Sequence, residues 1–224
     1  MVAAHPDDEV LGCGATIAKH VAQGDTVQVL ILGEGINARE GLMRSEKLRQ
    51  QKHLYNSAIK ANKALGVERL ILKKLPDNKF DSIPLLEIVQ LIEKNCAEFK
   101  PEIIYTHHCG DVNIDHRRTA EAVEVATRPI VGTSIEIAHS FEIPSSTEWN
   151  FAKPDIFRPN VFVDVTDYLK KKMEALVCYR SELREFPHPR SLEYIAALAK
   201  VRGGQSGFSA AEAFSLLYWR KGTS

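Results

Sequence analysis

The sequence predicts an α/β fold: a Rossmann-like three-layer sandwich with a mostly parallel sheet, followed by a smaller C-terminal α+β extension. Over residues 1–130, short apolar segments alternate four times with longer segments whose apolar residues recur at helical spacing. Segment 26–32 is almost entirely apolar, as is typical of a strand buried on both faces of a parallel sheet. After Pro129 the alternation stops, which places the extension in residues 131–224.

The predicted strands are short, apolar and rich in β-branched residues, and they are bounded by Gly, Pro or polar residues. In chain order they are 1–4, 26–32, 69–72, 101–106, 134–143 and 160–165. The predicted helices have apolar residues three or four positions apart and often end near Gly or Pro. In chain order they are 12–24, 43–65, a helix that begins at Pro84, 116–127, 167–185, 190–201 and 209–217.

The connecting segments show no linker, repeat or low-complexity tract, so we expect a single domain over 1–224. Segments 33–41 and 75–81 are predicted to be polar loops. The Gly-rich segment 202–207 is predicted to be a flexible loop, and the alternative is that it folds over the pocket. A first strand of only four residues is short for a central position, so we expect apolar residues before Met1 in the natural chain.

The composition is that of an ordinary globular protein. The chain has 224 residues, 44% hydrophobic and 26% charged, which is enough to bury one sizeable core. A formal net charge of zero argues against a nucleic-acid or anionic-membrane partner, and no apolar run approaches the roughly 20 residues that a membrane span requires. Scattered cysteines and the lack of a signal peptide predict a cytoplasmic location with reduced thiols. The cysteines are Cys13, Cys96, Cys109 and Cys178.

A polar cluster, Ala-His-Pro-Asp-Asp-Glu at 4–9, directly follows the first predicted strand. So much charge at the tip of a core strand is costly unless it is paired or bound to a metal. His5 and Asp8 are close enough in sequence to reach one ion, and Pro6 stiffens the turn between them. Asp7 is expected to point elsewhere and to act on something that the ion holds. The alternative is that these acids only cap the helix that follows.

A second polar cluster, 107–117, follows the fourth predicted strand. With strand order 3-2-1-4-5, strands 1 and 4 are neighbours, and the crevice outside their carboxyl ends is where such folds bind ligands. Two histidines and one carboxylate form a typical catalytic zinc centre, and the candidate ligands are His5, Asp8 and His116. We expect Asp115 to orient His116 or the surrounding water network.

The histidine pair His107-His108 lies at the end of the same strand. Because histidines at such positions are often partly exposed, we expect these two to face solvent or a neighbouring loop.

The motifs at 4–9 and at 111–117, Asp-x-Asn-x-Asp-His-Arg, resemble those of the LmbE-like, or PIG-L, zinc-dependent de-N-acetylases. The resemblance covers most of the chain in order. It implies that His5, Asp8 and His116 bind zinc and that Asp7 is the general base. It also implies an LmbE-like fold and hydrolysis of an N-acetyl group on an amino sugar or its conjugate, with release of acetate. Fe²⁺ or another divalent metal is the alternative to Zn²⁺.

The chain departs from the family pattern at substrate-side positions. Asn113 stands where many members have a histidine that orients substrate, which puts that role in doubt and leaves Asn113 as a candidate substrate contact. Many members also carry a sugar-contacting arginine on the helix after the second strand. The gapless match falls near Leu54, so Arg44, together with Arg39 and Arg49, is a loose candidate.

A late histidine of the family often polarises the acetyl carbonyl, and the resemblance suggests His188 for this role. Two flanking prolines in Phe-Pro-His-Pro-Arg would hold it stiffly. Arg190 is a candidate partner for a phosphate or carboxylate of the substrate, because its planar fork suits both. The alternatives are an ordinary surface turn for His188 and a solvated helix start for Arg190.

Three rival functions stay open on the sequence alone. A dinucleotide site is disfavoured because Ile17 stands where the third glycine of the fingerprint that begins Gly12-Cys-Gly14 belongs. Two histidines and a carboxylate also make the facial triad of iron(II) oxygenases. A non-catalytic sugar-binding or nucleotide-binding α/β protein is the third possibility. The expected partner is a soluble N-acetylated amino sugar, and a homo-oligomer is possible.

Overall fold

The computed structural model describes residues 1–36, 43–152 and 154–221. Within these residues the strands are β1 (Val2–Ala3), β2 (Gln28–Gly33), β3 (Arg69–Leu75), β4 (Ile103–His107), β5 (Ile137–Phe141), β6 (Val161–Asp164) and β7 (Ala211–Trp219). The helices are α1 (Asp8–Ala22), α2 (Arg44–Leu65), α3 (Leu85–Phe99), α4 (Ile114–Ala126), α5 (Leu169–Cys178) and α6 (Leu192–Ser206). Short 3₁₀ turns occupy Phe80–Ser82 and Thr147–Trp149.

The strands form two sheets that meet edge to edge. β1, β2 and β3 are parallel, in that order, with Val2 opposite Leu30. The second sheet has the order β4-β5-β7-β6, in which β4 and β5 are parallel and β7 is antiparallel to both its neighbours. β1 lies against β4, where the main-chain N–H of Ala4 donates to Nε2 of His107 at 2.9 Å. The predicted α/β class and the adjacency of strands 1 and 4 are confirmed.

The core fills both faces of β2. Val29 and Ile31 pack with residues of α1, α2 and α5, whereas Leu30 and Leu32 pack with residues of α3 and α4. All six residues of β2 are buried, as the continuous apolar run predicted. This three-layer packing presents the carboxyl ends of β1 and β4 at one edge, where both polar clusters lie.

A buried ion pair braces α1, the helix that starts at Asp8. Lys172 of α5 donates from Nζ to Oε1 of Glu212 at 2.6 Å and to the main-chain oxygen of Leu11 at 2.7 Å. Glu212 of β7 accepts hydrogen bonds from the main-chain N–H groups of Ala15 at 3.1 Å and Thr16 at 2.7 Å. Two elements of the C-terminal part therefore fix the helix that carries the first polar cluster.

The C-terminal predictions were wrong in three places. Segment 209–217, predicted as a helix, is mostly the strand β7, because β5 and β6 pair with it on both sides and override the helix-forming residues Ala, Glu and Leu. The helix predicted over 167–185 ends at Cys178, where Tyr179 turns into the core. Segment 202–206 continues α6 rather than forming a loop.

No helix within the described ranges combines the length and apolar character that crossing a membrane requires.

Candidate active site

The loop between β1 and α1 separates the two aspartates of the first cluster. Asp7 has φ 105°, in the left-handed region that side chains rarely adopt. Its main-chain N–H donates to Oε2 of Glu9 at 3.0 Å, which holds the strained turn. Asp8 then begins α1. The two carboxylates meet different partners: Asp8 meets histidines, and Asp7 meets an arginine.

The candidate metal ligands His5, Asp8 and His116 converge in a buried group. Oδ2 of Asp8 lies 3.4 Å from Nδ1 of His5 and 3.3 Å from Nε2 of His116. One ligand atom from each residue lies within 4.8 Å of the others. Oδ1 of Asp8 is fully buried and has no hydrogen-bond partner among the described residues. An unpartnered carboxylate oxygen in the core is costly, so this donor set fits a cation.

In each candidate histidine ligand, the ring nitrogen that does not face Asp8 contacts another buried carboxylate. Nε2 of His5 lies 2.8 Å from Oδ2 of Asp115, and Nδ1 of His116 lies 3.2 Å from Oδ1 of Asp111. Carboxylates in this arrangement fix the tautomer and orientation of metal-binding histidines. Asp115 therefore contacts His5, whereas the sequence had suggested that it orients His116 or nearby water. Asp111 was given no role from the sequence, although it is the first residue of the motif Asp-x-Asn-x-Asp-His-Arg at 111–117.

Asp115 is itself firmly held, because its oxygens accept the main-chain N–H groups of Asn78 at 2.6 Å and Phe80 at 2.9 Å. Asp77 of the same loop lies 3.4 Å from Nε2 of His5. His5, Asp77 and Asp115 are thus a second group close enough to hold an ion. It uses the opposite nitrogen of His5, which Asp115 already contacts at hydrogen-bond distance.

Electrostatics favours positive charge at this site. Burial alone would lower the pKa of His5, but hydrogen bonds to Asp115 and Asp8 raise it to about 10. His116 follows the same pattern: burial opposes the charge of Asp8 and the hydrogen bond to Asp111, and its pKa rises to about 9. For Asp8, burial is outweighed by the charge of His116 and by hydrogen bonds from His116 and His5, so its pKa falls well below the usual range. A divalent cation would carry the same charge as these two histidine protons.

The pair His107-His108 is buried, so its predicted exposure to solvent was wrong. His107 stacks on His116 with ring centroids 4.1 Å apart, and burial, with the charge of His116, holds its pKa well below the usual value. Since its Nε2 accepts the N–H of Ala4, His107 is neutral, and its ring packs against one face of the His116 ring. His108 does face a neighbouring loop, where its Nε2 lies 2.9 Å from the main-chain oxygen of Asp155.

The second aspartate of the turn, Asp7, is paired with a residue from the C-terminal part. Nη1 of Arg190 donates to Oδ2 of Asp7 at 2.9 Å. Burial raises the pKa of Asp7 to about 8; Arg190 opposes this rise, and the charge of Asp8 adds to it. Nε of Arg190 donates to Oγ of Ser145 at 2.9 Å, so the guanidinium is held from both sides.

His188 is tied to the same arginine through the main chain. The N–H of Arg190 donates to Nδ1 of His188 at 3.0 Å. A neutral histidine that accepts at Nδ1 carries its proton on Nε2, which makes Nε2 a hydrogen-bond donor. The ring lies 6.0 Å from that of Trp149, edge to face. His188 is half-buried, so it can contact both protein and solvent.

The family model described as PIG-L: GlcNAc-PI de-N-acetylase matches residues 1–127, more than half of the chain. The chain belongs to the PIG-L family. The match includes both polar clusters, and Ser145, His188 and Arg190 lie beyond it.

Relatives of this PIG-L protein include more than one chemistry. An Escherichia coli protein described as uncharacterized deacetylase YaiS is 29% identical over 80% of this chain and 89% of its own length. The 4-oxalmesaconate hydratase of Pseudomonas putida is 25% identical over 92% of this chain and 80% of its own. The structure of the N,N'-diacetylchitobiose deacetylase of Pyrococcus horikoshii matches with a TM-score of 0.75 and 19% identity, covering 97% of this chain and 82% of that one. This last likeness shows a shared fold.

Glu9 supports the turn at Asp7 through hydrogen bonds to core residues. Oε1 of Glu9 accepts hydrogen bonds from the Tyr179 hydroxyl at 2.6 Å and from Nδ2 of Asn62 at 2.9 Å. Burial raises the pKa of Glu9 to about 7. Glu9 thus links the turn at Asp7 to α2 and to the residue that follows α5.

The remaining substrate-side candidates differ in their surroundings. Asn113 caps α4, since its side-chain oxygen accepts the N–H of Asp115 at 2.8 Å. Arg44 begins α2 and is exposed, and Arg39 lies outside the described residues. Arg49 is also exposed, and it borders a cavity of about 420 Å³. Its lining residues are Ile36, Arg49, Gln50, His53, Leu54, Ser181 and Glu182.

Proposed function

We propose that this PIG-L protein is a zinc-dependent N-deacetylase that removes the acetyl group from an amino sugar or its conjugate and releases acetate. The observation that carries the proposal is the buried group His5, Asp8 and His116, in which Oδ1 of Asp8 is unpartnered among the described residues. A separate carboxylate, Asp7, adjoins this group without being one of its donors.

The donor set suits zinc because two imidazoles and one carboxylate leave further coordination positions for water and substrate. Bound zinc would lower the pKa of a water molecule and polarise the acetyl carbonyl. His5, Asp8 and His116 would hold it, with Asp115 and Asp111 fixing the two imidazoles. Fe²⁺ and other divalent ions accept the same ligands, so metal identity is part of the test below.

Asp7 is proposed as the general base and then the general acid. Its carboxylate takes a proton as water attacks the acetamide carbon, and it returns that proton to the nitrogen of the departing amino group. Arg190 holds Oδ2 of Asp7, which leaves Oδ1 as the oxygen proposed to exchange the proton. This is a different use of Arg190 from the substrate anchor that the sequence suggested.

His188 is proposed to stabilise the negative charge that develops on the acetyl oxygen. The hydrogen bond from Arg190 to its Nδ1 supports a neutral ring with the proton on Nε2, the donor that this role needs. Arg190 fixes the position of His188 relative to Asp7, because it contacts both residues.

The substrate is proposed to be an N-acetylated amino sugar, as for the diacetylchitobiose deacetylase that shares this fold. Of the two candidate arginines that the structure describes, Arg49 is the more suitable for a sugar contact, because it borders the cavity that also includes Glu182. The charge of Glu182 acts on Asp7, which supports a position for this cavity beside the base. Arg44 and Asn113 are weaker candidates, since Arg44 does not line this cavity and Asn113 caps α4.

We also propose that the chain works as one domain over 1–224, in which the extension completes the pocket. The support is that Arg190 and Ser145, both from that extension, reach the turn at Asp7.

The deciding experiment measures acetate release. Purified protein is stripped of metal, reloaded with Zn²⁺, Fe²⁺ or Co²⁺, and incubated with N-acetylglucosamine, diacetylchitobiose and sugar conjugates. We expect acetate and a free amine in equal amounts, abolished by chelator and by Asp7→Asn. A parallel assay follows water addition to unsaturated dicarboxylates, since one relative is a hydratase. Hydration without acetate release would overturn the deacetylase proposal.

A further inference from the structure

The C-terminal part contributes a turn, residues 143–148, that contacts Asp111 beside His116 and Arg190 beside Asp7. Thr147 donates from Oγ1 to Oδ2 of Asp111 at 2.7 Å, and the Ser146 hydroxyl donates to Oδ1 of Asp111. The main-chain N–H of Asn113 also donates to Oδ1, at 2.8 Å. Both oxygens of this buried carboxylate therefore face donors, which holds it as an anion in one orientation.

Asp111 in turn faces His116. Its Oδ1 lies 3.2 Å from Nδ1 of His116, and Oγ of Ser146 lies 3.4 Å from the same nitrogen. The ring of His107 covers one face of His116 at 4.1 Å. With Nδ1 fixed by Asp111, the imidazole has only Nε2 to offer to a metal, and that is the nitrogen near Asp8.

The turn is rigid enough to act as a clamp. Glu148 accepts the N–H groups of Ser145 at 2.6 Å and Ser146 at 3.1 Å. Ile143 donates its N–H to Oγ1 of Thr147 at 2.8 Å and accepts the N–H of Thr147 at 2.9 Å. The hydroxyls that hold Asp111 are thus preset by the local backbone. This turn lies outside the residues that the family model matches, 1–127.

We propose that Asp111, clamped by Ser146 and Thr147, is a positioning residue that sets His116 for metal binding, so that the 143–148 turn controls metal affinity. The inference rests on the metal site of the proposed function. Ser145, on the same turn, contacts Arg190, which holds the proposed base Asp7. Metal affinity and base orientation should therefore depend on different residues of one turn.

The test measures the Zn²⁺ dissociation constant of metal-stripped protein by competition with a chromophoric chelator, without substrate. We expect Asp111→Asn to weaken Zn²⁺ binding about 10- to 100-fold, as is typical when a carboxylate behind a metal-binding histidine is lost. Ser146→Ala and Thr147→Val should each weaken it by a smaller factor. Ser145→Ala should leave it unchanged. The matched control is Thr166→Val, which removes a hydroxyl–carboxylate contact to Asp164 on the surface.

A spectroscopic readout separates positioning from general stability. With Co²⁺ in place of Zn²⁺, the visible absorption of Asp111→Asn should change, whereas that of Thr166→Val should match the wild type. Unchanged Zn²⁺ affinity in folded Asp111→Asn would overturn the inference. If that variant does not fold, unchanged affinity in both Ser146→Ala and Thr147→Val would overturn it equally. A wild-type protein that binds no divalent metal would defeat the proposed function as well, which keeps the two failures distinguishable.

Discussion

Arg190 donates a hydrogen bond to Asp7 at 2.9 Å, joining the first loop of the chain to a turn near its end. Both residues are largely buried, and the same guanidinium is anchored on Ser145. A buried carboxylate that lost this partner would be left uncompensated. The pair therefore makes the environment of the proposed base depend on the C-terminal part of the fold.

We predict that Arg190→Met moves the ascending limb of the pH–rate profile to higher pH. The guanidinium opposes the rise in the pKa of Asp7, so its removal raises that pKa further. Since the base must be deprotonated, activity should then require more alkaline conditions. The measurement is kcat/KM for acetate release across pH. Arg184→Met is the matched control, because Arg184 bonds main-chain oxygens on the exposed surface; an equal shift in that control would refute the prediction.

Asp7→Asn should keep the metal and lose most turnover. The amide is nearly the same size but cannot accept the proton, so kcat should fall about 10²- to 10⁴-fold. Metal content and Zn²⁺ affinity should stay close to wild type, since Asp7 is not among the grouped donors. Full activity with bound metal would remove Asp7 as the base.

His188→Ala should lower kcat more than it raises KM. A donor that strengthens its hydrogen bond as charge develops acts mainly on the chemical step, and losing one such donor typically costs about 10²- to 10³-fold. His188→Gln, which retains a donor, should recover part of the rate. Steady-state kinetics on one N-acetyl sugar measures both constants. If KM alone changes, the role of His188 is substrate binding.

The sequence predicted much of the core because the pattern there is local. β2 is buried on both faces, and its apolar run already indicated this. β7 could not be read in the same way, because Ala211 to Phe214 form helices readily and become a strand only by pairing with β5 and β6. Partners so distant in sequence leave no local signal.

In the candidate site, too, the sequence predicted the residues of the motifs but not the contacts made by distant segments. A motif and an assumed strand order were enough to predict that three residues lie close together, namely His5, Asp8 and His116. The structure groups these residues. The exposure of His107 was predicted wrongly, because the main-chain N–H of Ala4, just after the neighbouring strand β1, donates a hydrogen bond to its Nε2. The contact of Asp111 with Thr147 depends on a turn that no motif indicated.

Lys172→Met should destabilise the fold strongly. It leaves Glu212 buried without its cation, and breaking a buried pair by removing one partner typically costs about 3–5 kcal/mol. Chemical denaturation of metal-free protein measures this loss. Lys171→Met, one position away on the exposed side of α5, should change stability little. The double variant Lys172→Met/Glu212→Gln should recover part of the loss, and a single variant as stable as wild type would contradict the prediction.

His139 should make the protein less stable as the pH falls from about 6.5 to about 4. Burial, with a smaller contribution from His20, lowers the pKa of His139 to about 4. An unfolded histidine titrates near 6.5, so in this window the unfolded chain binds a proton that the folded chain does not, and protonation favours unfolding. Each pKa unit is worth about 1.4 kcal/mol, which limits the effect to a few kcal/mol.

Because other buried histidines, such as His5 and His116, titrate in the opposite sense, the readout for His139 is a difference between proteins. The free energy of unfolding is measured at pH 7 and pH 4.5 for wild type and for His139→Gln. The loss on acidification should be smaller in His139→Gln, since the neutral amide removes this one titration. His53→Gln, on the exposed face of α2, is the matched control and should lose as much stability as wild type. Equal losses in all three proteins would show that His139 takes up its proton as readily in the folded chain as in the unfolded one.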